Sequence, residues 1–161
     1  MSFSYNSRVM LFISLTAALF LLAPIAGAQG IFGPGVPTIN LEEIREAEEQ
    51  GETILFVDVR SDEEMAVSMI PGAITRREYE RNPQAYEDAR IVAYCTVGAR
   101  SGKYTRELRQ RGVSAVNYRG SIIDWVEAGR PLVTPDGEPT TRVHTYSDSF
   151  SVPEPYVPVT E

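Results

Sequence analysis

Arg90–Arg109 reads R-I-V-A-Y-C-T-V-G-A-R-S-G-K-Y-T-R-E-L-R, and this stretch decides the fold. Arg90 to Tyr94 form an apolar, β-prone run. From Arg100 onward, apolar residues recur at helical spacing, which predicts an amphipathic helix to about Arg111. A short loop containing Gly98 joins the two, and Cys95, the one cysteine of the chain, stands where strand gives way to loop. A thiol there faces the positive end of a helix macrodipole and several unpaired backbone N–H groups. Such surroundings favour the thiolate, the form a cysteine nucleophile needs. A buried cysteine that merely packs as a small hydrophobe fits the same position, so position alone leaves both readings open.

Outward from this stretch, strands and helices alternate. Asn40 and Glu43 form a capping pair for a helix running through Leu41, Ile44 and Ala47 to Gly51. Thr53 to Asp58 (T-I-L-F-V-D) is the continuous apolar run of a strand covered on both faces. Ser61 caps a short helix over Asp62 to Val67, and I-P-G-A at Ile70 to Ala73 turns the chain. Residues 76 to 90 are polar and locally ambiguous, with a short helix expected around Pro83 to Ala89. A strand at Ala115 to Tyr118 follows, then a last helix from Ser121 to Ala128, closed by Gly129 and Pro131. The pattern predicts an α/β domain: an open, mostly parallel five-stranded sheet with helices on both faces. In such folds ligands gather at the carboxyl ends of strands, where Asp58 and Cys95 both fall.

The chain has 161 residues, with 15 Lys and Arg against 22 Asp and Glu, a net charge of −7. That surface argues against nucleic acid and anionic membrane as partners. One histidine and one cysteine offer no cluster at ligand spacing, so neither a metal nor another cofactor is expected. Val9 to Ala28 carries no charge, follows Arg8, and ends in Pro24 and Ala26-Gly27-Ala28, a small-x-small site. Residues 1–28 therefore read as a signal peptide cut after Ala28, which would export the protein to the periplasm or beyond. An uncleaved anchor is the alternative, since about 20 apolar residues can span a bilayer; only then would the protein touch a membrane. The remaining organisation is a Gly/Pro-rich flexible lead-in at 29–39, a domain at 40–133, and a Pro-rich tail at 134–161. The prolines of that tail predict an extended or partly disordered segment, with Tyr146, Phe150 and Tyr156 as candidate anchors on the domain and His144 exposed or at a rim.

Five motifs fall in the order and spacing of one family. They are D-V-R at Asp58 to Arg60, Glu64, I-P-G-A at Ile70 to Ala73, C-T-V-G-A-R-S at Cys95 to Ser101, and N-Y-R-G-S-I-I-D-W at Asn117 to Trp125. Over roughly Asn40 to Val133 the chain resembles the rhodanese-like sulfurtransferases. Two departures stand out: Ser68-Met69 where the family usually has Gly-His, and Ser121 in place of a glycine. Neither is a catalytic position in the family, so they put local packing in question rather than chemistry.

The resemblance implies that Cys95 is catalytic and that Thr96, Val97, Gly98, Ala99, Arg100 and Ser101 bind the substrate. Cys95 to Arg100 is C-x4-R, the six-residue loop of sulfur-transferring members; the related phosphatases use C-x5-R, with room for a tetrahedral oxyanion. The implied reaction moves a sulfane sulfur from a small anionic donor, of thiosulfate or persulfide type, through a Cys95 persulfide to a thiol or cyanide acceptor. Arg100 is expected to hold the loop or attract the donor; Arg106, Arg109 and Arg111 are read as a solvated helix face, with steering of an anionic donor by Lys103 and Arg106 as the alternative. Asp58 and Arg60 are read as structural, with an ion pair expected between Arg60 and Glu64. Trp125 is read as core. Two other classes remain: a non-enzymatic persulfide carrier or binding module, which uses the same cysteine, and a thiol redox protein. The second is weakened by the lack of a resolving cysteine.

Overall fold

The computed structural model describes residues 35–160. The signal-peptide reading of 1–28 and the first part of the lead-in lie outside the described residues. Thr38–Ile39 (β1) opens the fold, followed by α1 (Leu41–Glu49), β2 (Ile54–Asp58), α2 (Asp62–Val67), β3 (Ile74–Thr75) and α3 (Arg76–Arg81). After a 3-10 turn at Pro83–Tyr86 come β4 (Arg90–Tyr94), α4 (Ala99–Gln110), β5 (Ala115–Tyr118) and α5 (Ser121–Glu127). The strands form one five-stranded sheet in the order β1-β5-β4-β2-β3, and every pairing in it is parallel. Parallel pairing requires each connection to cross over, and the helices are those crossovers.

Side-chain alternation divides the core into two layers. On β4, Val92 and Tyr94 face one side with Ile44 of α1 and Ile122, Trp125 and Val126 of α5. Ile91 and Ala93 face the other side with Tyr79 of α3 and Tyr104 and Leu108 of α4. Helices therefore cover both faces, and β4, with Cys95 at its carboxyl end, runs through the middle of the sheet.

Local signals account for the helix starts. Asn40 and Glu43, Ser61 and Glu64, and Thr75 and Glu78 each form a complete capping box. The third of these starts α3 in the stretch that was ambiguous in sequence, ahead of the short helix expected around Pro83 to Ala89, which forms as the 3-10 turn Pro83–Tyr86. Proline suits the first turn of the 3-10 segment because it lacks only an N–H that has no partner there.

The ends of the domain differ from expectation. Ile39, at the end of the supposed lead-in, is 2 % exposed, and Pro37 C=O accepts from Asn117 N–H, so β1 docks as an edge strand. The Pro-rich tail is packed rather than loose. β6 (Leu132–Val133) pairs antiparallel with β7 (Pro139–Thr140), and β8 (Arg142–His144) pairs parallel with β9 (Val157–Val159). Val143 is fully buried in the core layer of α5, where Val152 and Tyr156 pack beside it. Tyr156 Oη donates to Arg130 C=O at 2.6 Å, tying β9 to the end of α5. Pro139 and Pro158 stand inside β7 and β9, two-stranded pairings whose outer edge needs no N–H, where composition alone read disorder.

If the tail is part of the core, Val143→Ala should lower the unfolding free energy by about 1–3 kcal/mol. Urea unfolding with intrinsic fluorescence measures this; a midpoint equal to wild type would mean that β8 is not docked in solution.

Candidate active site

Cys95 follows β4 and is 1 % exposed. Its main chain is held by the first turn of α5: Cys95 N–H donates to Ser121 Oγ (3.1 Å), and Cys95 C=O accepts from Ile122 N–H (3.2 Å). Thr96 C=O accepts from Ile123 N–H (3.4 Å). N–H groups that a helix start leaves without partners thus fix the cysteine loop. Ser121 has φ 56°, a left-handed conformation that favours glycine. Its hydroxyl offsets that cost by accepting from Cys95 and donating to Tyr118 C=O (2.8 Å), a bridge no glycine can make.

The loop closes on the sulfur. Gly98 N–H donates to Cys95 Sγ at 3.1 Å, and Ser101 Oγ lies 3.5 Å from Sγ. The Ser101 hydroxyl is also 2.7 Å from Asn117 Oδ1, so its one proton serves two acceptors. Asn117 Nδ2 donates back to Gly98 C=O (3.1 Å), which makes Asn117 a brace between loop and helix. Gly98 has φ 86°, and a Cβ there would sit 2.2 Å from Arg119 O, so this turn admits only glycine. Burial alone raises the pKa of Cys95. The Ser101 hydroxyl and the N–H groups of Ser101, Val97 and Gly98 outweigh it and hold the thiol below its usual value.

Outside this ring, Glu64 locks the loop. It is 2 % exposed, and its carboxylate accepts from Arg100 Nη1 (2.6 Å) and Nη2 (2.7 Å), Thr96 Oγ1 (2.8 Å) and Ser61 N–H (3.0 Å). Arg100 Nη2 also donates to Thr96 Oγ1 (2.9 Å). Burial pushes the Glu64 pKa up, but these donors overcome it and hold the carboxyl at about 2. One residue therefore both caps α2 and anchors the active-site loop.

Residues 40–128 match the rhodanese-like domain. The chain belongs to that family. A sulfurtransferase of Allochromatium vinosum is 36 % identical over 106 residues, which cover 63 % of this chain and 99 % of that protein. The human thiosulfate:glutathione sulfurtransferase is 33 % identical over 111 residues, covering 58 % of this chain and 96 % of that one. Among solved structures, a rhodanese-related protein from Thermoplasma volcanium superposes with a TM-score of 0.51 at 26 % identity, over 60 % of this chain and 97 % of that one. Family and relatives support a rhodanese-type sulfurtransferase.

On this rhodanese domain, the residues singled out in sequence divide into three roles. Val97, Gly98 and Ser101 direct donors at the sulfur, Thr96 and Arg100 turn their side chains to Glu64, and Ala99 begins α4. The ion pair expected between Arg60 and Glu64 is not the one formed. Arg60 binds Asp58, with Nη2 to Oδ2 at 2.6 Å and both side chains fully buried, and also donates to Ser68 C=O (2.6 Å). Asp58 lies on Arg60's own segment, two residues away, which leaves Glu64 free to take Arg100 from across the fold. His144, expected at the surface, is 8 % exposed, and its Nδ1 accepts from Tyr146 N–H (3.0 Å). Its burial follows from β8 packing against α2. Trp125 is core, as read, with Nε1 donating to Pro131 C=O (2.8 Å). Sequence reasoning missed Asn117 and Ser121 as parts of the site. Both stood in the N-Y-R-G-S motif, where polar side chains beside a strand end were the available signal.

Two measurements probe this geometry. The pH profile of Cys95 alkylation by iodoacetamide should have its midpoint below the ordinary thiol value of about 8.5, and Ser101→Ala should shift it upward. A wild-type midpoint at or above that value would remove the donor ring from the account. For Glu64, the folded pKa of about 2 lies below an unfolded value of about 4.3. Its stabilisation is therefore fully present above about pH 4.3 and lost as pH falls through about 2. The stability difference between wild type and Glu64→Gln should shrink across that window, and a constant difference would contradict the assignment.

Proposed function

We propose that this protein is a sulfurtransferase that carries a sulfane sulfur on Cys95, from a small anionic donor of thiosulfate or persulfide type to a thiol or cyanide acceptor. The observation that carries the reading is the set of N–H and hydroxyl donors around Cys95 Sγ, inside a loop whose shape Glu64 holds. The names of the relatives support it further. In the first step the Cys95 thiolate attacks the outer sulfur of the donor. A Cys95 S–S bond forms, the donor's own bond to that sulfur breaks, and the remnant leaves with the electron pair, as sulfite in the case of thiosulfate. In the second step the acceptor attacks the outer sulfur, and Cys95 departs as thiolate. Each step is one displacement, and no external oxidant or reductant is needed.

The donors matter more than the thiolate fraction. Lowering a thiol's pKa populates the thiolate but also weakens it as a nucleophile, so the net gain is modest. Stabilising the persulfide anion, and the charge that develops on sulfur during transfer, contributes more. Glu64 takes up much of the positive charge of Arg100, whose guanidinium also interacts with the Cys95 sulfur, so anion binding is shared between it and the dipoles of Val97, Gly98 and Ser101. A six-residue ring suits a single sulfur atom, whereas a tetrahedral oxyanion needs the longer loop of the related phosphatases. The reading of residues 1–28 as a cleaved export signal places this chemistry in the periplasm or outside the cell.

Purified protein given thiosulfate and cyanide should release thiocyanate, and intact mass after donor alone should rise by one sulfur atom on the Cys95 peptide. Cys95→Ser should do neither. Persulfide formation without thiocyanate would support a carrier instead, and turnover by Cys95→Ser would falsify the assignment of the nucleophile.

A further inference from the structure

The segment beyond the family match brings an aromatic ring to the cysteine loop. Tyr146 is 66 % exposed, so little burial of apolar surface holds its ring in place. Tyr156, by contrast, packs against the core and donates to Arg130 C=O. The Tyr146 ring faces the Arg100 guanidinium, with 5.5 Å between ring centroid and Cζ. That separation lies within the reach of a cation–π contact, about 6 Å.

Three hydrogen bonds fix the turn that carries the ring. Thr145 N–H donates to Val159 C=O (2.9 Å), which continues the pairing of β8 with β9. Tyr146 N–H donates to His144 Nδ1 (3.0 Å), and Thr145 Oγ1 donates to Ser147 C=O (3.2 Å). Tyr146 itself takes φ 67°, a conformation that a bulky residue adopts only where its surroundings impose it. His144 and Thr145 are buried, so the turn is anchored in the domain.

Arg100 has use for such a neighbour. Its side chain is 39 % exposed, and water offers it alternative rotamers. Glu64 and Thr96 hold the guanidinium from the inner side. Glu64 foremost, and then the Cys95 sulfur, raise the pKa of Arg100, so its charge also acts on the sulfur. We propose that Tyr146 is a positioning residue of the sulfur site, whose ring closes the outer side of Arg100 and keeps the guanidinium turned inward, where it favours negative charge on Cys95. The residue acts through Arg100 rather than on the reacting atoms. The match to the family ends at residue 128, so this part of the site is supplied from beyond it. The effect on transfer rests on the sulfur-transfer reading; the effect on the thiolate does not.

Tyr146→Gly removes the ring and suits the positive φ, whereas Tyr146→Phe keeps the ring face. The pH midpoint of Cys95 alkylation by iodoacetamide should rise in Tyr146→Gly, with the thiolate fraction below the midpoint falling about twofold to fivefold. Persulfide formation from thiosulfate should slow by a similar factor, and Tyr146→Phe should restore both. The midpoint is the decisive readout, because losing an exposed ring opens access to Cys95 and changes the alkylation rate without moving its midpoint. A purely structural role would lower the urea midpoint of Tyr146→Gly and leave the alkylation midpoint at the wild-type value. That result overturns the proposal, as does a Phe variant that behaves like Gly. A midpoint raised in Tyr146→Gly and restored in Tyr146→Phe, in a protein whose wild type takes sulfur from neither thiosulfate nor an organic persulfide, supports the positioning role and defeats the transfer reading instead.

Discussion

The active-site loop depends on a buried carboxylate. Glu64 sits at 2 % exposure with four donors around it, and three of those donors come from Thr96 and Arg100. Burying a charge costs several kcal/mol unless geometry and hydrogen bonds compensate. Here the compensation is close to complete, since both oxygens accept twice. The consequence is asymmetric. The pair adds little to stability compared with a well-packed apolar substitute, but removing Arg100 strands the Glu64 carboxylate in the interior, whereas Arg100, 39 % exposed, can turn to water without Glu64. What the arrangement contributes is the shape it imposes. Cys95, Val97, Gly98 and Ser101 can surround one sulfur atom only if the residues between them are pinned from outside.

That division of labour separates position from chemistry. The residues that touch the sulfur do so through backbone amides and one hydroxyl, none of them charged at neutral pH. The charged residues nearby, buried Glu64 and part-exposed Arg100, pair with each other, and the Arg100 charge also acts on the sulfur. A ring of dipoles already aimed at the sulfur needs no reorganisation when negative charge develops there. The tension at Cys95 reflects the same design. Burial opposes the thiolate while the donors favour it, and the balance falls on the thiolate side.

Most of the sheet was legible because its signals are local. β2, β4 and β5 are apolar runs, and the helices carry caps written within three residues of each other, as at Asn40 and Glu43. The loop was legible for the same reason: Cys95 to Ser101 is contiguous, and its residues act through their own backbone. What was missed is non-local. Glu64 lies 36 residues from Arg100, and nothing in its capping pattern distinguishes that partner from the nearer Arg60. Asn117 and Ser121 meet Cys95 and Gly98 only because β5 is paired next to β4. The tail was read as extended or partly disordered because its prolines suggest unpaired chain, yet proline is tolerated at a strand edge, and Pro158 sits within β9 opposite Val143.

The tail also bears on the loop. The family match ends at residue 128, yet β8 packs against α2, the helix that presents Glu64. Just beyond β8, Tyr146 lies with its ring centroid 5.5 Å from the Arg100 guanidinium. A cation over an aromatic face at such an exposed site is worth about 0.5–1 kcal/mol, small beside the ion pair but directed at the same side chain. Tyr146 has φ 67°, an uncommon conformation for a bulky residue, and its N–H is held by the buried His144. The extension thus supports both members of the pair, the carboxylate through its helix and the guanidinium through a ring. A segment beyond the family's core is thereby coupled to the one constraint on which the sulfur site depends.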